Sequence, residues 1–348
     1  MASHRKARDM GICIGEMKPG ARNKITDVKG VTVGHATIDT QRHKTGVTVV
    51  VPAEDNIFMN KVVANAHVLN GFGKTLGLVQ VQELGTLETP IALTNTLNVG
   101  LVHDALVQYA IDTCHADGYQ VRSVNPLVCE CNDAGLNDIQ NRAVSAEHVY
   151  SAIRNACIDF EEGDVGGGKG MVCYGFKGGI GSASRLVPVD GHEYTLGVLV
   201  QANYGRTADL GIAGKNIGRD VPPGWGAKED LGSIIVILAT DLPMDFRQLG
   251  RVLKRAGLGM ARLGSIMGHG SGEIILGFTC ANRVHHEQGH CVLNQKILRE
   301  DLLDIPFRAA AECCEEAILN ALLCADSVIG FSGTRKGSLH EWLQKFPL

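Results

Sequence analysis

The sequence predicts a mixed α and β fold, because short runs rich in β-branched residues and longer stretches with helical periodicity both recur along the whole chain. Glycine makes up 43 of the 348 residues, about 12% against an average of about 7%. Glycine-rich turns separate the apolar runs, and no proline- or serine-rich linker or repeat interrupts them. We therefore expect a single domain spanning residues 1–348.

Five strands are predicted from apolar, β-branched runs bounded by glycine or proline. They are Val47–Val51, Val121–Val124, Tyr194–Val200, Ser233–Ala239 and Glu273–Thr279. The run that begins at Ser233 is the most apolar, which indicates a buried strand.

Three helices are predicted from helical spacing of apolar residues: Val99–His115, Asp245–Leu263 and Pro306–Leu323. In the third helix the proline lies near the start, where it is tolerated. The residues on its apolar face are Ala310, Cys313, Cys314, Ala317, Ile318, Ala321 and Leu322.

The charge pattern argues against several classes of partner. The chain has 33 Lys and Arg against 37 Asp and Glu, a formal net charge of −4, with both signs interspersed, so we expect neither nucleic acid nor an anionic membrane as partner. No apolar run approaches the ~18 residues of a membrane span, and the first thirty residues lack the apolar core of a secretory signal. Eleven cysteines, an odd number, favour reduced thiols and a cytoplasmic location.

Two motifs have residues typical of ligand-binding sites, but ordinary structural roles explain each of them better. The glycine-rich stretches 163–170 and 175–185 suit close backbone approach or turns, yet Gly170 stands where a phosphate-binding loop needs Ser or Thr. A second stretch carries zinc-ligand side chains without a recognised metal spacing, which favours a solvated loop. Its residues are His285, His286, Glu287, His290 and Cys291. Cys129, Cys131, Cys313 and Cys314 are interpreted as packed residues, and neither a metal nor an organic cofactor is expected.

Gly232 and Ser233 open the most apolar predicted strand. Such a pair is usually a turn glycine followed by a buried strand. It also meets the requirements of self-cleavage, since the serine hydroxyl can attack the unobstructed glycine carbonyl and the resulting ester can hydrolyse. Ser233 would then carry a nucleophile and, in its freed α-amino group with a pKa near ~7.7, a base.

Several segments resemble the self-processing aminopeptidase family that includes L-aminopeptidase D-amidase/esterase and the β-peptidyl aminopeptidases. The likeness extends from near residue 20 to near residue 335. The matching segments are 23–35, 93–100, 175–185, 200–205, Gly232-Ser-Ile-Ile-Val-Ile-Leu-Ala-Thr-Asp241 and Met267-Gly-His-Gly-Ser-Gly-Glu273-Ile-Ile-Leu-Gly-Phe-Thr279.

This resemblance implies a four-layer α-β-β-α sandwich, similar to N-terminal nucleophile hydrolases though connected differently. It implies a cut between Gly232 and Ser233 that gives chains 1–232 and 233–348, which stay associated. Members of the family commonly form oligomers, so a homo-oligomer of αβ units is expected.

The resemblance also assigns roles to individual residues. Ser233 matches the nucleophile, and Ser271 and Glu273 match its partners; two positions apart on a strand, these two are expected to project together. Asn203 matches the asparagine that donates to the oxyanion, and Glu130 lies in a substrate-facing loop, where a turn or structural role is nearly as plausible. Some relatives supply a tyrosine from that loop, but no tyrosine occurs between Tyr119 and Tyr150 here, so the second oxyanion donor and the substrate preference stay open.

The leading hypothesis is a self-processed serine aminopeptidase or amidase that releases N-terminal α- or β-amino acids from short peptides, amides or esters through an acyl-enzyme. One alternative is acyl transfer to an amine, as in ornithine acetyltransferases, which use threonine as the nucleophile. The other is an uncut, non-catalytic binding or metal-storage protein.

Overall fold

Two β-sheets lie face to face, and helices cover the outer face of each. The computed structural model describes residues 6–222, 226–227, 229–230, 232–286 and 291–347. Its strands are Thr32–Asp39 (β1), Lys44–Val51 (β2), Asn60–Gly71 (β3), Thr86–Leu87 (β4), Ile91–Asn95 (β5), Leu127–Cys131 (β6), Val172–Cys173 (β7), Phe176–Lys177 (β8), Gly179–Val189 (β9), His192–Asn203 (β10), Gly211–Ile212 (β11), Lys215–Asn216 (β12), Ser233–Thr240 (β13), Gly272–His285 (β14), Val328–Ile329 (β15) and Arg335–Lys336 (β16). Its α-helices are Leu78–Leu84 (α1), Val99–Ala116 (α2), Ala146–Arg154 (α3), Phe246–Leu253 (α4), Ala256–Arg262 (α5), Asp304–Leu323 (α6) and Leu339–Lys345 (α7).

Three apolar cores separate the four layers. One sheet has four strands in the order β1-β2-β5-β6, and the other has six in the order β4-β3-β14-β13-β10-β9. The first core fills the space between the sheets, the second lies between the smaller sheet and helices α2 and α3, and the third lies between the larger sheet and helices α4 to α6. The expected four-layer α-β-β-α sandwich is therefore present.

Strand β13 runs through the middle of the six-stranded sheet, antiparallel to β10 and parallel to β14. All eight of its residues are buried. Ile235 and Ile237 belong to the core between the sheets, whereas Ile234 and Val236 belong to the core against the helices. This two-residue alternation explains why the sequence run is apolar throughout: both faces of the strand are covered.

Two of the predicted elements differ from the structure. Residues 121–124 form no strand, and the buried strand β6 begins at Leu127, directly after Pro126. The predicted helix 245–263 is divided into α4 and α5. At the break, the N–H of Arg255 donates to the carbonyl of Val252, a bond to the third preceding residue in place of the fourth.

The glycine-rich stretch 163–170 packs tightly among strands. Gly166, Gly167 and Gly168 are buried in a short 3₁₀ turn. A Cβ on Gly167 would overlap the side-chain oxygen of Gln201 on β10, and Gly166 has a φ of +51°, so close approach and backbone conformation account for these glycines. Among the described residues, no helix is long and apolar enough to span a membrane.

Candidate active site at three strand ends

Ser233 lies between the ends of two neighbouring strands. As the first residue of β13, it pairs with Asn203 at the end of β10 and with Gly272 at the start of β14. The sheet therefore brings together, at one edge, segments that are about thirty to forty residues apart in sequence. The predicted candidates Ser233, Asn203, Ser271 and Glu273 all belong to these three strand ends.

Gly232 passes too close to β10 to carry a side chain. A Cβ at this position would overlap the carbonyl oxygen of Asn203 and press on Cα of Tyr204. The described hydrogen bonds include none made by the Ser233 hydroxyl, although the side chain is buried. The residue before Ser233 thus has no side chain to obstruct an attack on its carbonyl.

Ser271 and Glu273 project together, as their spacing predicts. The Ser271 hydroxyl donates a short hydrogen bond to Oε1 of Glu273, and both side chains are fully buried. Oε2 of Glu273 is buried without a hydrogen-bond partner among the described residues. Burial raises the pKa of Glu273 to about 7, against the effect of the bond from Ser271. A buried carboxylate with an unused acceptor is well suited to bind a cation.

Strand alternation places the Ser233 hydroxyl and the Glu273 carboxylate on opposite faces of the sheet. Ser233 shares a face with Ile235, toward the smaller sheet, whereas Glu273 is the register partner of Ile234 and shares the helix-side face. The backbone of Ser233 lies between the two faces. Glu273 is therefore better placed to bind an amino group at Ser233 than to contact its hydroxyl.

The Asn203 amide is held by two hydrogen bonds. Its Oδ1 accepts from the backbone N–H of Val172 over 2.8 Å, and its Nδ2 donates to the carbonyl of Asn132 over 3.1 Å. Since an amide nitrogen carries two hydrogens, one N–H is left to donate elsewhere. Asn203 borders a cleft of about 560 Å³ that also touches Val172, Tyr204 and Gly232. Another cleft, of about 590 Å³, is lined by none of the residues at the three strand ends.

Glu130 is buried on β6 of the facing sheet. Its Oε1 accepts from the backbone N–H of Lys74 over 2.9 Å, and its Oε2 accepts from the hydroxyl of Thr96. The adjoining backbone at 72–73 packs against Gly272, so Glu130 is linked to the site through this loop. On the same strand, the thiol of Cys131 contacts the carbonyl oxygen of Ser233 at 3.4 Å.

Part of the stretch named in the metal alternative lies in the region that the structure describes. Within that region no three His, Cys, Asp or Glu side chains are grouped as metal ligands would be. His286 lies against Tyr119, with Nε2 2.6 Å from the phenol oxygen. Glu287 and His290 lie outside the described residues.

Sequence reasoning missed three residues that shape the site. Val172 orients Asn203, Asn70 donates to the carbonyls of Gly268 and Ser271, and Asp230 accepts from Gly205. Val172 and Asn70 belong to no recognisable sequence motif. Val172 acts through its backbone N–H, which every residue except proline has, and Asn70 is a single asparagine in a strand. Asp230 lies three residues before Ser233, and this short distance from the candidate cut is the sequence feature that could have identified it.

One family profile and several known proteins match this chain over most of its length. The profile described as peptidase family S58 matches residues 23–336. A beta-peptidyl aminopeptidase, BapA of Sphingosinicella microcystinivorans, is 38% identical, with 94% of this chain and 88% of the relative covered. The crystal structure of the PH0078 protein from Pyrococcus horikoshii OT3 is 48% identical with a TM-score of 0.92, covering 98% of each chain.

A third comparison concerns the fold as well as the chemistry. The L-aminopeptidase D-Ala-esterase/amidase of Ochrobactrum anthropi, a serine aminopeptidase described as a variant of the Ntn hydrolase fold, is 35% identical, with a TM-score of 0.90 and 98% of each chain covered. Similarity over nearly the full length confirms the family and fold that the sequence segments predicted.

Proposed function

We propose that this chain, which belongs to peptidase family S58 and is a hydrolase, is a serine aminopeptidase or amidase that forms its own catalytic N-terminus at Ser233. The observation that carries the proposal is the meeting of Gly232-Ser233 with Asn203 and the Ser271–Glu273 pair at three adjacent strand ends. These groups supply a nucleophile, an oxyanion donor and an acceptor for an amino group.

In the first step, Oγ of Ser233 attacks the carbonyl carbon of Gly232 and the C–N bond breaks. The acyl group of Gly232 is then an ester on Oγ, and the nitrogen of Ser233 becomes a free amine. Water hydrolyses this ester, leaving a carboxylate on Gly232 and restoring the hydroxyl. The products are chains 1–232 and 233–348, which contribute strands to the same sheet: β10 to the first and β13 to the second.

In the second step, the same hydroxyl attacks the substrate. The α-amino group of Ser233 takes its proton, directly or through water, and an acyl-enzyme forms as the substrate amine or alcohol leaves. Oε2 of Glu273 accepts a hydrogen bond from that amino group, while Ser271 holds the other carboxylate oxygen. Water then releases the amino acid and regenerates Ser233.

The free N–H of Asn203 donates to the oxyanion of the tetrahedral intermediate. Support comes from its register with Ser233 and from the two contacts that orient its amide. A fixed donor of this kind stabilises charge that develops only in the transition state. The second donor stays unassigned.

The proposed substrates are short peptides, amides or esters with a free N-terminal amino group. Both α- and β-amino acyl groups are candidates. One relative is named a beta-peptidyl aminopeptidase, and another is named an L-aminopeptidase D-Ala-esterase/amidase. Glu130 is proposed to attract the substrate ammonium, since its buried carboxylate is linked through the loop at 72–74 to Gly272. No metal or organic cofactor takes part in the proposed steps.

The proposal includes a cytoplasmic location, on the grounds of eleven cysteines that are all free thiols in the structure. It also includes assembly of the αβ units into a homo-oligomer, which the family resemblance implies. Fractionation of source cells and light scattering of the purified protein test these two points.

Denaturing electrophoresis with product analysis tests the function. A processed enzyme gives bands of about 25 and about 12 kDa in place of one at 37.1 kDa, whereas an uncut binding protein gives one band. With a short peptide substrate, free amino acid is the expected product even when an amine is added. Predominant transfer of the acyl group to that amine would favour the acyltransferase alternative.

A further inference from the structure

Asp230 connects the segment before the proposed cut to the strands on both sides of β13. Its Oδ1 accepts from the backbone N–H of Gly205, two residues after the end of β10, over 2.7 Å. Its Oδ2 accepts from the backbone N–H of Gly268, in the loop that leads to Ser271, over 3.4 Å. One side chain thus bridges the two segments that flank Ser233.

Both ends of this bridge are built for close contact. A Cβ on Gly268 would lie 3.2 Å from the carbonyl oxygen and 3.3 Å from Cβ of Asp230, so the two residues are in close contact. On the other side of the same loop, Nδ2 of Asn70 donates to the carbonyl of Gly268 over 2.8 Å. Gly205 has a φ of +95°, a left-handed conformation that suits glycine.

Among the described residues, the segment is also anchored upstream. The N–H of Ala227 donates to the hydroxyl of Thr207 over 2.7 Å, and the N–H of Thr207 donates to the carbonyl of Ala227 over 3.1 Å. Between this anchor and β13, the two hydrogen bonds of the Asp230 side chain restrain the backbone that leads to Gly232. A cleavable bond needs this restraint, because its carbonyl must face the serine hydroxyl for attack.

We propose that Asp230 is a positioning residue for self-cleavage, which fixes the backbone before Gly232 so that its carbonyl is presented to Ser233. The inference rests on the proposed cut between 232 and 233. It assigns Asp230 a larger role in processing than in later turnover, because once the bond is broken this segment no longer holds Ser233.

The test compares processing rates of full-length Asp230→Ala and Asp230→Asn with wild type, by following the conversion of freshly made precursor into two chains. Alanine removes both acceptors and is expected to slow cleavage about ten- to a hundredfold. Asparagine keeps one acceptor and is expected to fall between alanine and wild type. Glu229→Gln is the matched control, since this neighbouring carboxylate is exposed and its loss should leave the processing rate unchanged.

A second measurement separates positioning from a general structural role. Once processing is complete, the loss of kcat/KM per cut Ser233 in Asp230→Ala should be about tenfold smaller than the loss of processing rate in the same variant. Processing at the wild-type rate in both variants would overturn the inference, and so would equal losses in processing and in turnover. Failure of the wild-type chain to cut at all would instead overturn the proposed function. If the alanine variant does not fold, the asparagine variant still decides the matter.

Discussion

Val172 orients the amide of Asn203 by donating its backbone N–H to Oδ1 over 2.8 Å. The donor is a peptide N–H, so the atom it meets must be the amide oxygen, and the NH₂ group must face the carbonyl of Asn132. The amide is thereby committed to one orientation before any substrate arrives. A preorganised donor is what oxyanion stabilisation requires.

Asn203→Asp tests the donor role of this side chain. The carboxylate still accepts from Val172 but can donate neither to the oxyanion nor to the carbonyl of Asn132. We therefore expect turnover to fall by about two to three orders of magnitude, as when an oxyanion donor is lost. Steady-state kinetics on protein shown to be processed provides the measurement. Asn203→Gln, a donor on a longer arm, serves as the comparison. Turnover by the aspartate variant equal to wild type would remove Asn203 from the oxyanion site.

Glu273→Gln tests the acceptor for the freed amino group. The substitution keeps the side-chain volume and one acceptor oxygen but removes the charge that holds the ammonium, so turnover should fall by roughly two or more orders of magnitude while substrate binding changes little. Intact mass must first show that the variant is cut at Ser233. Ser271→Ala is the companion variant, since it leaves the carboxylate charged but unbraced. A fully processed Glu273→Gln protein with near-normal turnover would contradict the assignment.

Because the pKa of Glu273 is raised, the free energy of unfolding of the uncut chain should depend on pH. The folded state holds the proton up to a pKa of about 7 and the unfolded state only up to 4.5. Stability therefore declines as pH rises between these values and levels off above. In a Ser233→Ala background, adding Glu273→Gln removes this decline, so its stabilising effect should be larger at about pH 8 than at about pH 4. Thermal melts of both proteins across this range check the result, and a difference independent of pH would contradict it.

Glu130→Gln distinguishes attraction of the substrate ammonium from support of the loop at 72–74. Glutamine can still accept from the N–H of Lys74 and can donate to the hydroxyl of Thr96, so the loop contacts survive while the charge is lost. We expect KM to rise about tenfold or more, with kcat little changed, as for loss of a hydrogen bond to a charged group. Thr96→Val, which removes the other hydrogen bond to Glu130 and keeps the charge, should not raise KM in this way. Unchanged KM in Glu130→Gln would leave Glu130 a purely structural role.

Much of the fold was predictable because strand periodicity and burial coincide. The apolar run from Ser233 reads as a buried strand, and the structure covers it on both faces. The pairing of Ser271 with Glu273 follows from alternation along a single strand, so local sequence was sufficient to predict it. In contrast, the predicted strand Val121–Val124 contains the exposed polar residues Arg122 and Ser123, and the strand that pairs with β5 begins only after Pro126.

The contacts that the sequence did not reveal are those made across long separations. Asp230 meets Gly205 and Gly268, which are 25 and 38 residues away, and Val172 meets Asn203 across 31. Each contact depends on the order of strands in the sheet, which local propensity does not specify. The face occupied by Ser233 likewise emerged only once its register with β14 was known.

Intact mass with N-terminal sequencing of the purified protein tests the central claim most directly, because every proposed catalytic role depends on a free amino group at Ser233. We predict two polypeptides of 232 and 348 − 232 = 116 residues, the second beginning Ser-Ile-Ile-Val, and a single uncut, inactive polypeptide from Ser233→Ala. Loss of one small hydroxyl should leave the fold nearly unchanged. An active wild-type protein of one intact chain, or cleavage that persists in Ser233→Ala, would contradict the account.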